Sequence, residues 1–296
     1  MLSELRDKTV PKRNWLLSLL VGVGLWQLSL PATAQMLLPY TPQLNAEQLE
    51  QQGLEVAEEA AQLIRFQQYD LALSRAKLAT QLAPNKYQPW FILGTLYVIQ
   101  QQVEPGIAAL NKALELEPKE VGIKFTLGNA YFQVGNYAEA VTQLEEGLKL
   151  KPDVPAALFD LGNSYLKLGK MTEAIAVYQK AVTQQKDFWP AINNIGLIKY
   201  EQGDVNGAIK LWQNALEIDQ EQVEPQLALA VAFYTQGKKE QAIKLGEAAL
   251  KLDSSYGDLQ HLKDNLWGEK LLKDTQKFLT TPQIRAILND LEGKSS

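Results

Sequence analysis

Residues 121–154 read VGIKFTLGNAYFQVGNYAEAVTQLEEGLKLKPDV, and the next stretch, 155–188, reads PAALFDLGNSYLKLGKMTEAIAVYQKAVTQQKDF. When the two stretches are aligned, LGNAY falls on LGNSY, VGN falls on LGK, and the two Glu-Ala pairs coincide. Self-similarity at a fixed period of this size is typical of architectures in which one small unit stacks on the next. The period of 34 residues therefore decides the fold.

The same register extends in both directions over residues 53–256 without an insertion. The six segments are 53–86, 87–120, 121–154, 155–188, 189–222 and 223–256. Three positions of every segment hold glycine or alanine. The eighth holds Ala60, Gly94, Gly128, Gly162, Gly196 and Ala230; the twentieth holds Ala72, Gly106, Ala140, Ala174, Ala208 and Ala242; the twenty-seventh holds Ala79, Ala113, Gly147, Ala181, Ala215 and Ala249.

Closely crossing helices explain this pattern of small residues. Two helices joined by a short turn approach each other closely only where their contact positions carry almost no side chain, and larger neighbours fill the remaining space. Gly135, Gly169, Gly203 and Gly237 are placed to end the first helix of a pair in the left-handed conformation. No segment alternates polar and apolar residues as a strand would. The sequence therefore predicts an all-α protein.

These residues resemble the tetratricopeptide-repeat (TPR) family. The family pattern Trp-x-x-Leu-Gly-x-x-Tyr occurs as Trp90, Leu93, Gly94 and Tyr97, and parts of it recur in the next two segments. The resemblance implies a right-handed superhelical solenoid of about six helix-turn-helix repeats. It also implies a function in binding other proteins rather than in catalysis.

The N-terminal region differs from the repeats. Basic residues lie at positions 6, 8, 12 and 13, and residues 15–30 carry no charge. Such a segment is directed to a membrane, and Ala32-Thr33-Ala34 fits a signal-peptidase site. Residues 1–34 are therefore either a signal peptide cleaved after Ala34 or a single-span anchor prolonged by Met36, Leu37 and Leu38. The basic flank favours a cytoplasmic N-terminus in both cases.

Short segments connect and close the repeats. Residues 35–52 are interpreted as a linker and the start of the first helix, with Asn45 as its cap. Residues 257–296 are interpreted as a capping helix, with Leu259, Leu262, Leu266 and Trp267 at helical spacing, followed by a short helix from Pro282.

Composition excludes several classes of function. The net charge of -5 gives no basic surface for nucleic acid, and the absence of cysteine excludes disulfides and thiolate chemistry. The chain has one histidine, His261, and no phosphate-binding glycine loop after a strand. Neighbouring carboxylates such as Glu145 and Glu146 point about 100° apart on a helix and do not form an acid-base pair. We therefore expect no enzyme activity, no cofactor, no metal and no small-molecule substrate.

The family resemblance implies which residues face the concave surface. Positions 2, 5, 9, 12 and 13 face inward in that family, and at the middle three positions aromatic residues and asparagines predominate. The candidate peptide-binding residues are Phe91, Thr95, Phe125, Asn129, Phe132, Phe159, Asn163, Asn193, Tyr200 and Tyr234. Asparagine pairs with backbone donors and acceptors together, and aromatic rings offer large contact areas, so a polypeptide ligand is expected. The same residue types occur in the family consensus. The alternative that the pattern is common to the family and indicates no particular ligand therefore stays open.

The overall organisation resembles that of cyanobacterial thylakoid-associated TPR proteins. The resemblance implies a membrane-linked scaffold, attached through residues 15–30, that assists protochlorophyllide oxidoreductase in chlorophyll synthesis or otherwise assists photosynthetic complex assembly. That reductase is expected on the cytoplasmic face, whereas the positive flank and the Ala-x-Ala site favour repeats in the lumen or periplasm. The alternative is an exported adaptor of the periplasm or thylakoid lumen, released by cleavage at Ala34, with cell-envelope clients.

Overall fold

A computed structural model describes residues 45–295, with side chains up to residue 291. The predicted signal peptide or anchor at 1–34, with its apolar segment at 15–30, lies outside the described residues, as does the linker as far as residue 44. Within 45–295, no helix has both the length and the apolar character that a bilayer crossing requires.

The described residues form fifteen α-helices, one 3-10 turn at Ser254–Gly257 and no strand. The helices are α1 (Ala46–Arg65), α2 (Tyr69–Leu82), α3 (Tyr87–Ile99), α4 (Val103–Leu116), α5 (Val121–Gln133), α6 (Tyr137–Leu150), α7 (Pro155–Lys167), α8 (Met171–Gln184), α9 (Trp189–Glu201), α10 (Val205–Ile218), α11 (Val223–Thr235), α12 (Lys239–Leu252), α13 (Leu259–Asp264), α14 (Glu269–Leu279) and α15 (Pro282–Ser295). Asn45 caps α1 by accepting a hydrogen bond from the backbone N–H of Glu47 at 3.0 Å.

The first twelve helices form six consecutive pairs, which we call repeats 1 to 6. In each pair the odd-numbered helix packs along the even-numbered helix that follows, and that helix also contacts the first helix of the next pair. Stacking between nearest neighbours defines a solenoid. The predicted all-α fold of about six helix-turn-helix units is confirmed.

Glycine at the eighth position accepts a large side chain from the second helix of the same pair. A Cβ added to Gly94 would lie 2.6 Å from Cγ of Leu110, and one added to Gly128 would lie 2.5 Å from Cγ of Leu144. Real Cβ atoms do not approach other heavy atoms so closely, so the glycine sets the distance between the two helices. The packing reason inferred from the sequence therefore holds at these positions.

The turns inside the repeats use the left-handed conformation. Gly135, Gly169, Gly203 and Gly237 have φ angles between 74° and 88°. The first two repeats have Gln67 and Gln101 at the same place, with φ angles of 58° and 62°. Glycine adopts this conformation without steric cost, whereas a side chain does not.

The buried side chains become larger along the array. Repeat 1 buries alanines at Ala60, Ala72, Ala76 and Ala79. Later repeats bury Tyr178, Trp212 and Tyr200 completely. Larger buried side chains remove more apolar surface from water, so the later repeats gain more from packing.

The C-terminal segment differs from the predicted single capping helix. Leu259 and Leu262 lie in α13, but that helix ends at Asp264, and Leu266 has a φ angle of 70°. This left-handed residue turns the chain before α14 begins, so the apolar residues at helical spacing belong to two elements. Helix α14 lies across α9 and α11, and α15 packs on α12. Helix α15 has 14 residues and is longer than the short helix expected from Pro282.

Candidate functional site

The first helices of the repeats carry the candidate binding residues. The small rotation between neighbouring repeats of a solenoid produces an extended concave surface. We call the surface formed by the fifth, ninth, twelfth and thirteenth positions of the odd-numbered helices the groove. The structure places its residues in different environments.

The fifth-position phenylalanines pack between helices. A Cβ added to Gly122 would lie 3.3 Å from Cζ of Phe91, and one added to Gly147 would lie 2.5 Å from Cε1 of Phe125. The ring of Phe159 lies 5.8 Å and 5.7 Å from two other aromatic rings. All three phenylalanines are partly buried. Each therefore offers only part of its ring to a ligand.

The candidate residues at the ninth and twelfth positions of repeats 2 and 3 are Thr95, Asn129 and Phe132, of which only Asn129 is fully exposed. Asn129 is exposed, and its Oδ1 accepts a hydrogen bond from Nε2 of Gln133 at 2.7 Å. Phe132 is partly buried against a tyrosine ring at the start of α6, with ring centroids 5.3 Å apart. The hydroxyl of Thr95 donates to the backbone carbonyl of Phe91 at 2.8 Å. Asn129 is thus the most accessible polar side chain among the candidates.

Four polar side chains form a connected group, which we call the asparagine network: Asn163, Tyr178, Asn193 and Asn194. The Tyr178 hydroxyl donates to Oδ1 of Asn163 at 2.6 Å, and Nδ2 of Asn194 donates to the same oxygen at 3.0 Å. Nδ2 of Asn193 donates to Oδ1 of Asn194 at 3.1 Å. The network crosses from α7 to α9 and gives the buried amide of Asn194 hydrogen-bond partners, while Oδ1 of Asn193 is buried without a partner among the described residues.

Two carboxyl groups beside the network have perturbed acidity. Burial raises the pKa of Asp160 to about 6 and the pKa of Glu224 to about 7. Hydrogen bonds from Trp267 and Asn193 to Glu224 act in the opposite direction; the Trp267 indole N–H lies 2.9 Å from Oε1 of Glu224. Desolvation disfavours the ionised form, and here it outweighs the two hydrogen bonds.

Helix α14 covers the groove at repeats 5 and 6. The hydroxyl of Tyr200 donates to Oδ2 of Asp274 at 3.0 Å, and the Lys270 ammonium lies 4.8 Å from the Tyr200 ring centroid. The rings of Tyr234 and Phe278 lie 5.5 Å apart. Tyr200 is completely buried.

The candidate residues therefore divide into two sets. Repeats 2 to 4 form the open part of the groove, with Phe91, Thr95, Phe125, Asn129, Phe132, Phe159 and Asn163. Repeats 5 and 6 form the closed part, with Asn193, Tyr200 and Tyr234. Asn194 and Glu201 are not among the candidate residues predicted from the sequence, although Asn194 directly follows a predicted groove residue and Glu201 occupies the thirteenth, inward-facing position of repeat 5. That inward-facing position was the available signal for Glu201.

A separate cleft lies between α6, α7 and α8. Its volume is about 620 Å³, and its lining includes Leu148, Leu158, Tyr165 and Val177. None of the ten candidate residues lines this cleft.

Three family models match parts of the chain. The model described as Tetratricopeptide repeat matches residues 125–188, and the model described as TPR repeat matches residues 196–237. Over these residues the helix pairs are similar to tetratricopeptide repeats. A third model, ChAPs (Chs5p-Arf1p-binding proteins), matches residues 42–121. Comparison with curated proteins gives no match.

Solved structures with low sequence identity share the TPR fold. PilF of Pseudomonas aeruginosa has a TM-score of 0.61 at 13% identity, over 74% of this chain and 98% of its own. MamA from Desulfovibrio magneticus RS-1 has a TM-score of 0.54 at 18% identity, over 57% of this chain and 96% of its own. YrrB, described as a TPR protein with an unusual peptide-binding site, has a TM-score of 0.50 at 19% identity, over 64% of this chain and 97% of its own.

Proposed function

We propose that this protein is an interaction scaffold that binds a polypeptide segment of a partner in the open part of the groove. The observation that carries the proposal is the environment of Asn129, which is exposed between the partly exposed rings of Phe125 and Phe132. TPR proteins serve as protein-interaction scaffolds, so the proposal assigns the general function of the fold to one surface.

The chemistry of this surface suits an extended or helical peptide. Nδ2 of Asn129 makes no hydrogen bond within the part of the chain that the structure describes, and it remains available to a backbone carbonyl. Aromatic rings already held by packing lose little conformational freedom on binding. A partner segment with apolar side chains and unpaired backbone groups fits both features.

Two of the similar proteins are named for binding. The ChAPs family consists of Chs5p-Arf1p-binding proteins, and YrrB is described as having a peptide-binding site. YrrB and this chain are only 19% identical, so the likeness concerns the fold. These names therefore favour peptide or protein binding in general and not a particular ligand.

For the partner we propose protochlorophyllide oxidoreductase at the thylakoid membrane of a cyanobacterium. The support is the order of a basic N-terminus, an apolar segment at 15–30 and a TPR array, which resembles the cyanobacterial protein Pitt. The protein would then be a membrane-linked scaffold in chlorophyll synthesis or in the assembly of photosynthetic complexes.

An exported adaptor with cell-envelope clients in the periplasm or thylakoid lumen is the second candidate, favoured by Ala32-Thr33-Ala34. N-terminal sequencing of the native protein distinguishes the two. Gln35 as the first residue supports export with cleavage, whereas an intact N-terminus and carbonate-resistant membrane association support an anchor. Protease protection in sealed vesicles then reports which side the repeats face.

A binding assay with purified protochlorophyllide oxidoreductase tests the partner and the surface together. Asn129→Arg in the full chain places a long cation in the open part, and we expect binding about tenfold weaker or worse. Thr142→Arg, at an exposed position of α6 outside the groove, is the matched control and should bind as the wild type does. Equal binding by all three proteins contradicts the assigned surface, and no binding by the wild type contradicts the partner.

A further inference from the structure

Helix α14 has two different faces. Leu271, Thr275 and Phe278 are completely buried against the array, whereas Lys273 and Lys277 are exposed. The buried residues follow the i, i+4, i+7 spacing of one helical stripe. Helix α14 is therefore amphipathic and lies in the groove like a bound helix, with its polar side toward solvent.

The groove caps the N-terminus of α14. Oε1 of Glu201 accepts a hydrogen bond from the backbone N–H of Leu271 at 2.8 Å, and Oε2 accepts one from the backbone N–H of Lys270 at 3.1 Å. The first N–H groups of a helix have no partner within the helix, and its positive end favours a carboxylate. Gly268 provides no side-chain cap of its own. Helix α14 therefore takes its cap from a groove residue.

Two side chains of α14 contact a second groove residue, Tyr200. Asp274 accepts the hydrogen bond of the Tyr200 hydroxyl, and Nζ of Lys270 donates to the Tyr200 backbone carbonyl at 3.2 Å. An acid and a base four residues apart on one helix thus contact a single tyrosine of α9.

The far end of α14 fills a slot that the last repeat leaves empty. At the twenty-fourth position the preceding four repeats have large side chains, namely Leu110, Leu144, Tyr178 and Trp212, each of which packs on the eighth-position glycine of its own repeat. Repeat 6 has Gly246 there. A Cβ added to Gly246 would lie 2.5 Å from Cζ of Phe278 and 3.6 Å from Cβ of Ala230.

Phe278 takes the place that Trp212 has in repeat 5. The Tyr200 and Trp212 rings are 5.9 Å apart, and the Tyr234 and Phe278 rings are 5.5 Å apart. Repeat 6 therefore has a phenylalanine-sized receptor built into its sequence, and a helix outside the repeat supplies the ring.

We propose that the closed part of the groove is a helix-binding site that α14 occupies as an intramolecular ligand. The site accepts an amphipathic helix with leucine at i, an acid at i+3, a small hydroxyl residue at i+4 and phenylalanine at i+7. A partner helix with this pattern displaces α14, and the accessible groove then extends through repeats 5 and 6. The site is distinct from the open part and does not depend on the partner proposed there.

The test uses a full chain in which the packing of α14 in the groove is weakened, and adds a peptide with the sequence of α14 as the ligand. The variant carries Leu271→Ala and Phe278→Ala, and the probe is a fluorescent synthetic peptide of residues 267–281. We expect the variant to bind this peptide at least about tenfold more tightly than the wild-type chain does, because the wild-type site is already occupied. The matched control is the same peptide with Phe278→Ala, which we expect to bind the variant at least about tenfold more weakly. Equal or absent binding of the two peptides by the variant overturns the proposal.

A second variant keeps the test informative if the double variant does not fold. Gly246→Leu supplies the side chain that Leu110 and Leu144 provide in earlier repeats, so it fills the slot from within. We expect hydrogen exchange to increase in α14 while α1 to α10 stay protected, with no binding of the peptide. If α14 stays equally protected in a folded Gly246→Leu chain, the space beside Gly246 does not hold α14 in the groove, and the proposal is wrong.

Discussion

A Cβ atom on Gly196 would lie 2.6 Å from the indole nitrogen of Trp212. The indole itself is completely buried and donates a hydrogen bond to the backbone carbonyl of Asn193 at 3.3 Å. The ring therefore cannot move aside without losing packing and a polar contact together. The two helices of repeat 5 are held at the distance that this glycine allows.

Gly196→Ala should accordingly destabilise the array by about 1 to 3 kcal/mol, because the added methyl group overpacks the helix contact. Urea unfolding followed by circular dichroism measures the loss. Gln213→Ala, at an exposed position of α10, is the control and should change the midpoint little. An unchanged midpoint for Gly196→Ala would contradict the close contact.

Gln101→Gly should stabilise repeat 2. The φ angle of 62° costs a non-glycine residue about 1 kcal/mol, and glycine removes that cost. Gly135→Ala, at the equivalent turn with a φ angle of 78°, should lose a similar amount. The thermal midpoints of the two variants should move in opposite directions, and movement in the same direction would argue against backbone strain.

The ion pair between Lys124 and Glu146 should contribute measurably to stability. The two charged atoms lie 2.6 Å apart, and the lysine side chain is only 10% exposed. Glu146→Ala leaves that cation without its partner and should cost about 1 to 3 kcal/mol. The exposed pair of Lys112 and Glu115 is the comparison, and Glu115→Ala should cost below about 1 kcal/mol. Equal losses for the two alanine variants would refute the role of burial.

Stability should fall as the pH rises through 7, because of Glu224. Its pKa of about 7 in the folded protein exceeds the ordinary value of 4.5, so the folded state binds the proton more tightly than the unfolded chain does. The resulting stabilisation is complete below pH 4.5 and is lost as the pH passes 7. Glu224→Gln should reduce the change in the free energy of unfolding between about pH 5 and 8 by on the order of 1 to 3 kcal/mol.

Chemical denaturation at several pH values checks the effect of Glu224. Asp160→Asn is the companion variant, because the pKa of Asp160 is raised to about 6 and its stabilising contribution is therefore lost as the pH rises through 6, before that of Glu224. A pH profile of Glu224→Gln that parallels the wild type would mean that the carboxyl is better solvated than its burial implies.

The sequence predicted the repeat array because its constraints are local and recur. Glycine at 94, 128 and 196 reports a helix contact within one repeat, and the same contact occurs again one period later. The turn glycines are equally local, since Gly135 needs only its own φ angle. The 34-residue period was therefore sufficient to predict most of the helices and turns from α2 to α12.

The position of α14 could not be inferred in the same way. The apolar stripe of Leu271, Thr275 and Phe278 shows that the helix is buried on one side but not which surface covers it. That choice depends on residues far away in sequence, above all on Gly246 and Glu201. A glycine where earlier repeats have leucine, tyrosine or tryptophan was the one sequence signal that a side chain must come from elsewhere. For the candidate site, the sequence indicated aromatic residues and asparagines at the groove positions. It did not indicate that α14 covers Tyr200.

The alanine core of repeat 1 determines at which end the array begins to unfold. Its hairpin of α1 and α2 is held by small side chains, whereas the opposite end combines Trp212, Tyr200 and an added helix. In a chain of nearest-neighbour contacts, mild denaturant or an applied pull peels away the weakest terminal hairpin first. Partial opening of this molecule should therefore start at one end and proceed hairpin by hairpin toward the other.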